Sequence, residues 1–336
     1  MRVIAGMSDR VPLPQIGEYA RRVEALGFDV LHVPETIHDS MVVATLALEH
    51  TTTLRVQTSL TLAFPRSPMI LALQAWDLAA ASGGRFDLGL GSQIRPNIEG
   101  RFGLGWSPPI GRMADYVESV RSIWHSFTTG DRLHVSTENY SFDRLQPFFN
   151  PGPLTVRPPR IWLGGVNPKA IELAGRVADG FVTHPTNSHP RFLERCVDPL
   201  LPTSVEVATA APIITGVDAR AVAQSRESQR GVLAFLYSTP AYRRTLELFD
   251  HADLGERLQL LTRKGEWNLL GELLTDELLD TLIPSGTYRE LPEVLHTWFA
   301  GRTDGILLQP PVTIEDDDMF ADVVVGIRGI PTRSTR

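Results

Sequence analysis

Cysteine is almost absent: Cys196 is the only one in 336 residues. One thiol closes no internal disulfide and builds no cysteine-only metal centre. No metal site is expected, and Cys196 reads as a semi-buried helix residue. Long apolar runs are missing too. None approaches the ~18 residues that a membrane helix needs, and the N-terminus lacks the pattern of a signal peptide. A soluble, cytoplasmic protein is the expectation. Basic charge is in deficit: 32 Lys and Arg stand against 39 Asp and Glu, for a formal charge of −7. That argues against nucleic-acid phosphates as the main partner. There is no Walker loop, HExxH helix, GxSxG elbow or CxxC pair. Internal repeats are absent, and the acidic run Glu315–Asp318 is the one biased tract. It reads as the solvated start of the last helix, where negative charge suits the helix dipole.

What is present is alternation. With 43% hydrophobic residues the chain can build a sizeable core. Leu54 to Leu60 reads as a strand, Ser67 to Ala81 as a helix closed by Gly83-Gly84, and Arg85 to Gly91 as a second strand. A strand, a helix and a strand in some forty residues is a parallel βαβ unit. The same pattern extends both ways. Strand Arg2–Ala5 precedes a helix with Ile16, Tyr19, Ala20, Val23 and Leu26 at helical spacing. Strand Val30–Pro34 and a helix from Met41 to His50 follow. Beyond residue 91 come an amphipathic helix Pro109–Thr128, strand Ile161–Gly164, helix Pro168–Val177 and strand Gly180–Thr183. Helix Pro190–Leu201, strand Val205–Ile214 and a last strand Gly305–Leu308 complete the pattern. This is α/β architecture, and one (β/α)8 TIM barrel accommodates the length. Residues 131–159, rich in proline, read as an excursion containing a hairpin. Residues 219–283 hold twelve leucines between Leu246 and Leu279, too many for one barrel helix. They predict a helical insertion after strand seven, with the leucines packed internally, or used as a lid or dimer surface. The expectation is thus a single domain over 1–336 with an excursion and an insertion, assembling as a homo-oligomer, a dimer in the simplest case.

The segment TSLTLAFPRSPMILALQAWDLAAASGGRFDLGLGSQ resembles the core signature of the luciferase-like flavin and deazaflavin oxidoreductases. YARRVEALGFDVLHVPETIHD is similar to that family's first helix and second strand. PPRIWLGGVNPKAIELAGRVADGFVTHP is similar to its phosphate-binding turn. These matches run from near residue 1 to about residue 190, with a weaker return at Asp304-Gly305-Ile306. The resemblance implies a bacterial luciferase-like barrel that moves a hydride between deazaflavin coenzyme F420 and a small organic substrate. That substrate would be an alcohol, an aldehyde or ketone, or an activated double bond. A monooxygenase using FMN and oxygen is the first alternative, and a non-catalytic flavin- or ligand-binding barrel the second.

Leu163-Gly164-Gly165-Val166-Asn167-Pro168 is a candidate anion site. A buried strand ends in two glycines, and Pro168 stands where a helix begins, so free backbone N–H groups can face a phosphate. An ordinary tight turn has the same spelling; the resemblance assigns the cofactor's phosphate here. Gly165→Val is expected to weaken cofactor binding more than folding. No lysine occurs in the segment 183–187 that follows, although family members sometimes carry one. The resemblance also implies a cis peptide bond near Thr58-Ser59-Leu60, behind the cofactor ring, and assigns Gly91, Ser92 and Gln93 to the cofactor. Gly89-Leu90-Gly91-Ser92-Gln93-Ile94 lacks the third glycine of a dinucleotide fingerprint and precedes a loop, so a Rossmann reading fails. His184, closing strand six, is a candidate lining residue.

Candidate chemistry sits after strand two, at Glu35, Thr36 and His38. Period two puts Leu31, Val33 and Glu35 on one face, and a carboxylate at a barrel rim can orient a cofactor or accept a proton. The family commonly has an acid followed by His here; this chain has Thr36, which leaves His38 as the nearest imidazole. Arg95, Asn97 and Arg101 are candidate contacts for a cofactor tail or substrate acid. Trp106, Phe148, Phe149 and Trp162 read as packing. Loops 95–108 and 131–158 are expected to shape the substrate pocket. Slower cofactor reduction in Glu35→Gln and His38→Ala, measured in a single turnover, is the outcome this assignment predicts.

Overall fold

A computed structural model describes residues 1–8 and 10–335. Eight parallel strands close into a barrel: β1 Arg2–Gly6, β2 Val30–Val33, β3 Arg55–Thr58, β4 Phe86–Gly91, β5 Ile161–Gly164, β6 Gly180–Val182, β7 Glu206–Thr209 and β8 Gly305–Leu308. Each pairs with its neighbour in chain order, and Arg2 opposite Gly305 joins β1 to β8. The strands are buried on both faces, as parallel strands under a layer of helices are. Outward-facing Val3, Leu31, Val33, Val56, Phe86 and Ile161 join the helices in one large cluster. Inward-facing Ile4, Val30, Trp162, Val182 and Ala208 form a small cluster of their own. Beneath Trp162 lies a charged layer. Arg55 and Arg157 pair with Asp87 at 2.9 and 2.6 Å, and Arg2 and Arg160 pair with Glu206. Both of the last two arginines stand 5.4 Å from the Trp162 ring centre, so cation–π contact plugs the bottom of the barrel.

Helix starts follow the local chemistry. Asp39 accepts from the amides of Met41 and Val42 at the head of Ser40–Glu49, and Ser67 accepts from Met69 at the head of Pro68–Ala81, which are N-caps of the usual kind. The eight strands and most expected helices lie where the sequence places them, within a residue or two. Four readings need correction. Pro190–Leu201 is one short α-turn followed by a π-helical stretch, Leu193–Val197. Val205–Ile214 is two strands, because Ala210-Ala211-Pro212 breaks it; Ile214–Gly216 leaves the barrel and pairs with Ser285–Thr287. A short helix, Arg95–Gly100, follows Gln93 where a loop was expected. Asp317 is not merely solvated, since Arg22 grips both its oxygens at 2.8 and 2.6 Å.

Between β7 and β8 lie helices Ala219–Tyr237, Arg244–Leu248, Ala252–Lys264 and Asp276–Leu282. Their leucines, Leu233, Leu246, Leu254, Leu258, Leu278 and Leu279 among them, pack on one another in a cluster apart from the barrel core. Leu260 and Leu269 remain exposed. The excursion over 131–159 contains the hairpin Val135–Ser136 with Ser141–Phe142. Its Phe148 and Phe149 are exposed and touch chiefly each other, so packing is not their role.

The approach to β3 hangs on one carboxylate. Glu24 Oε1 accepts from the amides of Thr52, Thr53 and Leu54 at 2.9, 2.6 and 2.8 Å, and from Thr53 Oγ1 at 2.9 Å. Burial alone would raise its pKa, but those donors outweigh it and hold the group at about 2. Glu24→Gln is expected to cost about 1 kcal/mol at neutral pH, discounted for solvent screening. A depressed folded pKa adds stability above the free value of 4.5, so the gap between wild type and variant should close as pH falls from 4.5 toward 2. Urea denaturation of both proteins across that range checks this.

Candidate functional site

A cavity of about 1330 Å³ opens at the C-terminal mouth of the barrel, where enzymes of this architecture work. Its first wall is the end of β3. Thr58 Oγ1 donates to the Gly89 carbonyl and accepts from the Gly89 amide, both at 2.9 Å, which staples β3 to β4. One residue further on, the Ser59–Leu60 peptide bond is cis, as the resemblance implied. Ser59 and Leu60 then line the cavity, and Thr61–Leu62 rejoins the sheet beside β4. Gly89 is required: a Cβ there would lie 1.9 Å from the Thr58 carbonyl oxygen.

The second wall is the turn after β5. Gly164, Gly165, Val166 and Asn167 all line the cavity. Asn167 caps the helix Pro168–Val177 by accepting from Ala170 N at 2.9 Å. Among the described residues, the amides of Gly165, Val166 and Asn167 donate to no protein acceptor. Free amides beside a helix N-terminus are a site for an anion. The sequence reading of Gly165 needs correction. A Cβ at this position would sit 2.4 Å from the Cβ of Ala170, so it would strike the helix rather than a phosphate.

The remaining candidates separate cleanly. Gly91, Ser92, Gln93 and His184 line the cavity. Thr58 is buried behind it and acts on strand pairing. His184 stacks on Tyr242 with ring centres 4.0 Å apart, and its Nδ1 lies 2.8 Å from Thr186 Oγ1. Burial pushes its pKa down to about 4, which keeps the imidazole neutral. Glu35 lines the cavity but is not a free base. Arg66 donates to its Oε1 at 2.6 Å and its Oε2 at 3.0 Å, and the Leu62 amide donates to Oε2 at 2.8 Å. The same arginine reaches Asp39 at 2.6 Å. Glu35 therefore ties the end of β2 to the segment after the cis bond.

Thr36 and His38 do not line the cavity. Thr36 is exposed and offers its carbonyl to Arg101 at 3.0 Å. Pro34 ends β2, so the chain turns outward and period two no longer holds past Val33. Arg95 pairs with Glu99, and neither Arg95, Asn97 nor Arg101 faces the cavity. The excursion over 131–158 contributes nothing to the wall either. The helix Ala219–Tyr237 takes its place: Ala221, Gln224, Ser225, Ser228, Gln229 and Val232 line the cavity at helical spacing. That surface was hidden in the sequence by the richer leucine pattern downstream. His32, which lines the cavity floor from β2, also escaped notice. Its signal was available, since Leu31 and Val33 face outward and a polar residue between them faces in.

Two outcomes follow for the free protein. Glu35→Gln should lower stability by about 3 kcal/mol, because Arg66 would keep its burial with half its charge partner gone; thermal melts of the cofactor-free variant measure this. Gly165→Val should also destabilise, by about 1–3 kcal/mol from overpacking against Ala170, and Ala170→Gly in the same chain should recover part of the loss.

The chain is similar to known proteins over most of its length. The sequence profile of the luciferase-like monooxygenases matches residues 2–304. The uncharacterized protein Rv1360 of Mycobacterium tuberculosis H37Rv is 35% identical over 304 residues, covering 88% of this chain and 89% of its own. The 5,10-methylenetetrahydromethanopterin reductase of Methanolobus tindarius is 26% identical, covering 82% of this chain and 84% of its own. The solved coenzyme F420-dependent tetrahydromethanopterin reductase of Methanopyrus kandleri superposes with a TM-score of 0.76 at 16% identity, over 97% of each chain; this last likeness concerns the fold. With a closed parallel barrel, a walled mouth and a family match over nine-tenths of its length, the chain belongs to the luciferase-like monooxygenase family.

Proposed function

We propose that this protein is an oxidoreductase that moves a hydride between coenzyme F420 and a small organic substrate, an alcohol, a carbonyl compound or an activated double bond. The observation that carries the reading is the pairing of two features in one cavity. The Ser59–Leu60 wall offers an apolar surface to a planar ring, and the free amides of Gly165, Val166 and Asn167 offer donors to a phosphate. The volume of about 1330 Å³ exceeds an ordinary ligand pocket and has room for both a cofactor and a substrate. Similarity to Rv3520c of Mycobacterium tuberculosis H37Rv, a putative coenzyme F420-dependent oxidoreductase 29% identical over 84% of this chain, supports the deazaflavin over FMN.

The bound deazaflavin would supply a carbon centre that takes or gives a hydride. The residues of the chain do the rest. Leu60, Leu90 and Leu163 exclude water from one side of the mouth. The turn after β5 holds the anionic tail by backbone donors, since no Lys or Arg is among the described residues lining the cavity. His184 is a donor to a bound molecule: the ring is neutral and its Nδ1 accepts from the Thr186 amide at 3.3 Å, so Nε2 carries the hydrogen. Glu35 and Arg66 keep the wall in place. We further propose a homodimer in the cytoplasm as the working form.

Equilibrium titration with coenzyme F420 and with FMN tests the cofactor. F420 should bind and FMN should not. Binding of FMN with substrate-dependent oxygen uptake would favour the monooxygenase reading, and binding of neither would leave a non-catalytic barrel. His184→Ala should bind F420 normally and slow its single-turnover reduction by about 10²-fold, as loss of a preorganised donor does.

A further inference from the structure

The rim of the cavity has two unlike halves. The ends of β3, β4 and β5 carry the Leu60 wall and the free amides, which the proposed function gives to the cofactor. The opposite half belongs to β8, β1 and β2, where Gly6, His32, Leu307 and Gln309 line the cavity. His32 is 2% exposed, and neither of its ring nitrogens has a hydrogen-bond partner. Its register neighbours are Gly6 on β1 and Gln57 on β3. Gly6 contributes no side chain, and the space above it is taken by Gln309, whose Nε2 would lie 2.3 Å from a Cβ there. The Gln57 amide nitrogen is unpaired as well.

A buried imidazole with no partner is costly, and native folds keep few of them. Packing does not demand one here, because Val30 fills the layer below on the same strand face. Burial, and then the positive charge of Arg2, push the His32 pKa down to about 3, against an approach of the Gln57 side chain that falls short of hydrogen-bond geometry. The ring is neutral and presents one donor and one acceptor. The rest of the cavity fits an uncharged guest. No Lys or Arg is among its described lining residues, and its two carboxylates are spoken for: Glu35 by Arg66, and Asp316 by the Thr313 hydroxyl at 2.7 Å. A carboxylate or phosphate substrate would find no counter-ion on this side.

We propose that His32 is the polar contact for the oxygen of an uncharged alcohol or carbonyl substrate seated on the β8–β1–β2 side of the mouth. The assignment rests on the cofactor occupying the other side. Its chemistry is that of selection: the neutral ring binds a hydroxyl or carbonyl oxygen in either direction of hydride transfer, and the uncharged wall rejects the matching acid.

The test uses the full chain as wild type, His32→Leu and His32→Gln. In the ligand-free state, His32→Leu should melt higher than wild type by about 2–4 °C, since it removes an unsatisfied polar group. A lower melting temperature would show an imidazole that holds the fold together, and would overturn the proposal. F420 affinity should stay within about twofold in both variants; a larger loss would place His32 on the cofactor and overturn it as well. Cyclohexanone and cyclohexanecarboxylate, titrated into F420-loaded protein by NMR, probe the subsite. The ketone should bind wild type, bind His32→Leu about fivefold more weakly, and keep most of its affinity for His32→Gln. Failure of the ketone to bind wild type, equal binding of the carboxylate, or indifference to His32→Leu would each overturn the proposal. If wild type binds no F420, the cofactor reading fails instead, and the melting comparison still judges His32.

Discussion

The mouth of this barrel is organised around the space taken by Leu60. Three glycines on the facing strands make that space. A Cβ at Gly164 would lie 2.5 Å from Leu60 Cδ1, one at Gly91 would lie 3.3 Å from Leu60 Cβ, and one at Gly89 would meet the Thr58 carbonyl. The segment after β3 can therefore lean across the top of the barrel while Thr58 stays stapled to β4. The Glu35–Arg66 pair fixes the same segment from the other side, through the Leu62 amide. The glycines are thus a packing requirement first. Their consequence is a flat apolar wall with a clear line to the turn after β5.

From that wall the rest of the site follows. The charged layer at the barrel bottom and the Trp162 plug close the floor. The insertion between β7 and β8 buries its own leucines and turns the polar-faced helix Ala219–Tyr237 toward the mouth as a third wall. Bound molecules would meet apolar surface, backbone amides, hydroxyls and neutral imidazoles, with hardly any free charge. Such a setting suits hydride transfer, which needs orientation and dryness more than a strong acid or base. With an anionic cofactor bound as proposed, the burden of holding it would fall on a helix N-terminus.

Much of this was legible in the sequence, and the failures have physical reasons. Strand and helix positions could be read because each parallel strand is a short apolar run between capped helices; Gly83-Gly84 marks the end of one helix and Pro168 the start of another in the sequence itself. The turn Gly164–Asn167 could be located but not interpreted in full, since the reason for Gly165 is a contact with Ala170 that only three dimensions reveal. Glu35 was visible as a carboxylate near a rim, while its partner Arg66 lies thirty-one positions away. Period two served as far as Val33 and misled beyond it, because Pro34 ends the strand. His32 was passed over in favour of the more conspicuous Glu35 and His38, although alternation along β2 points it inward. The pocket-facing side of Ala219–Tyr237 could not be foreseen, because which face of an inserted helix turns inward is set by how the insertion folds back on the barrel.

The account stands on one claim, that the Leu60 wall and the free amides after β5 are two ends of a single cofactor site. A crystal structure of the protein soaked with coenzyme F420 tests it most directly. The account predicts the deazaflavin ring against Leu60 and a phosphate oxygen within hydrogen-bond distance of the Gly165, Val166 or Asn167 amide. A cofactor bound with its phosphate away from that turn, or with its ring on the β8–β1–β2 side against His32, would contradict it.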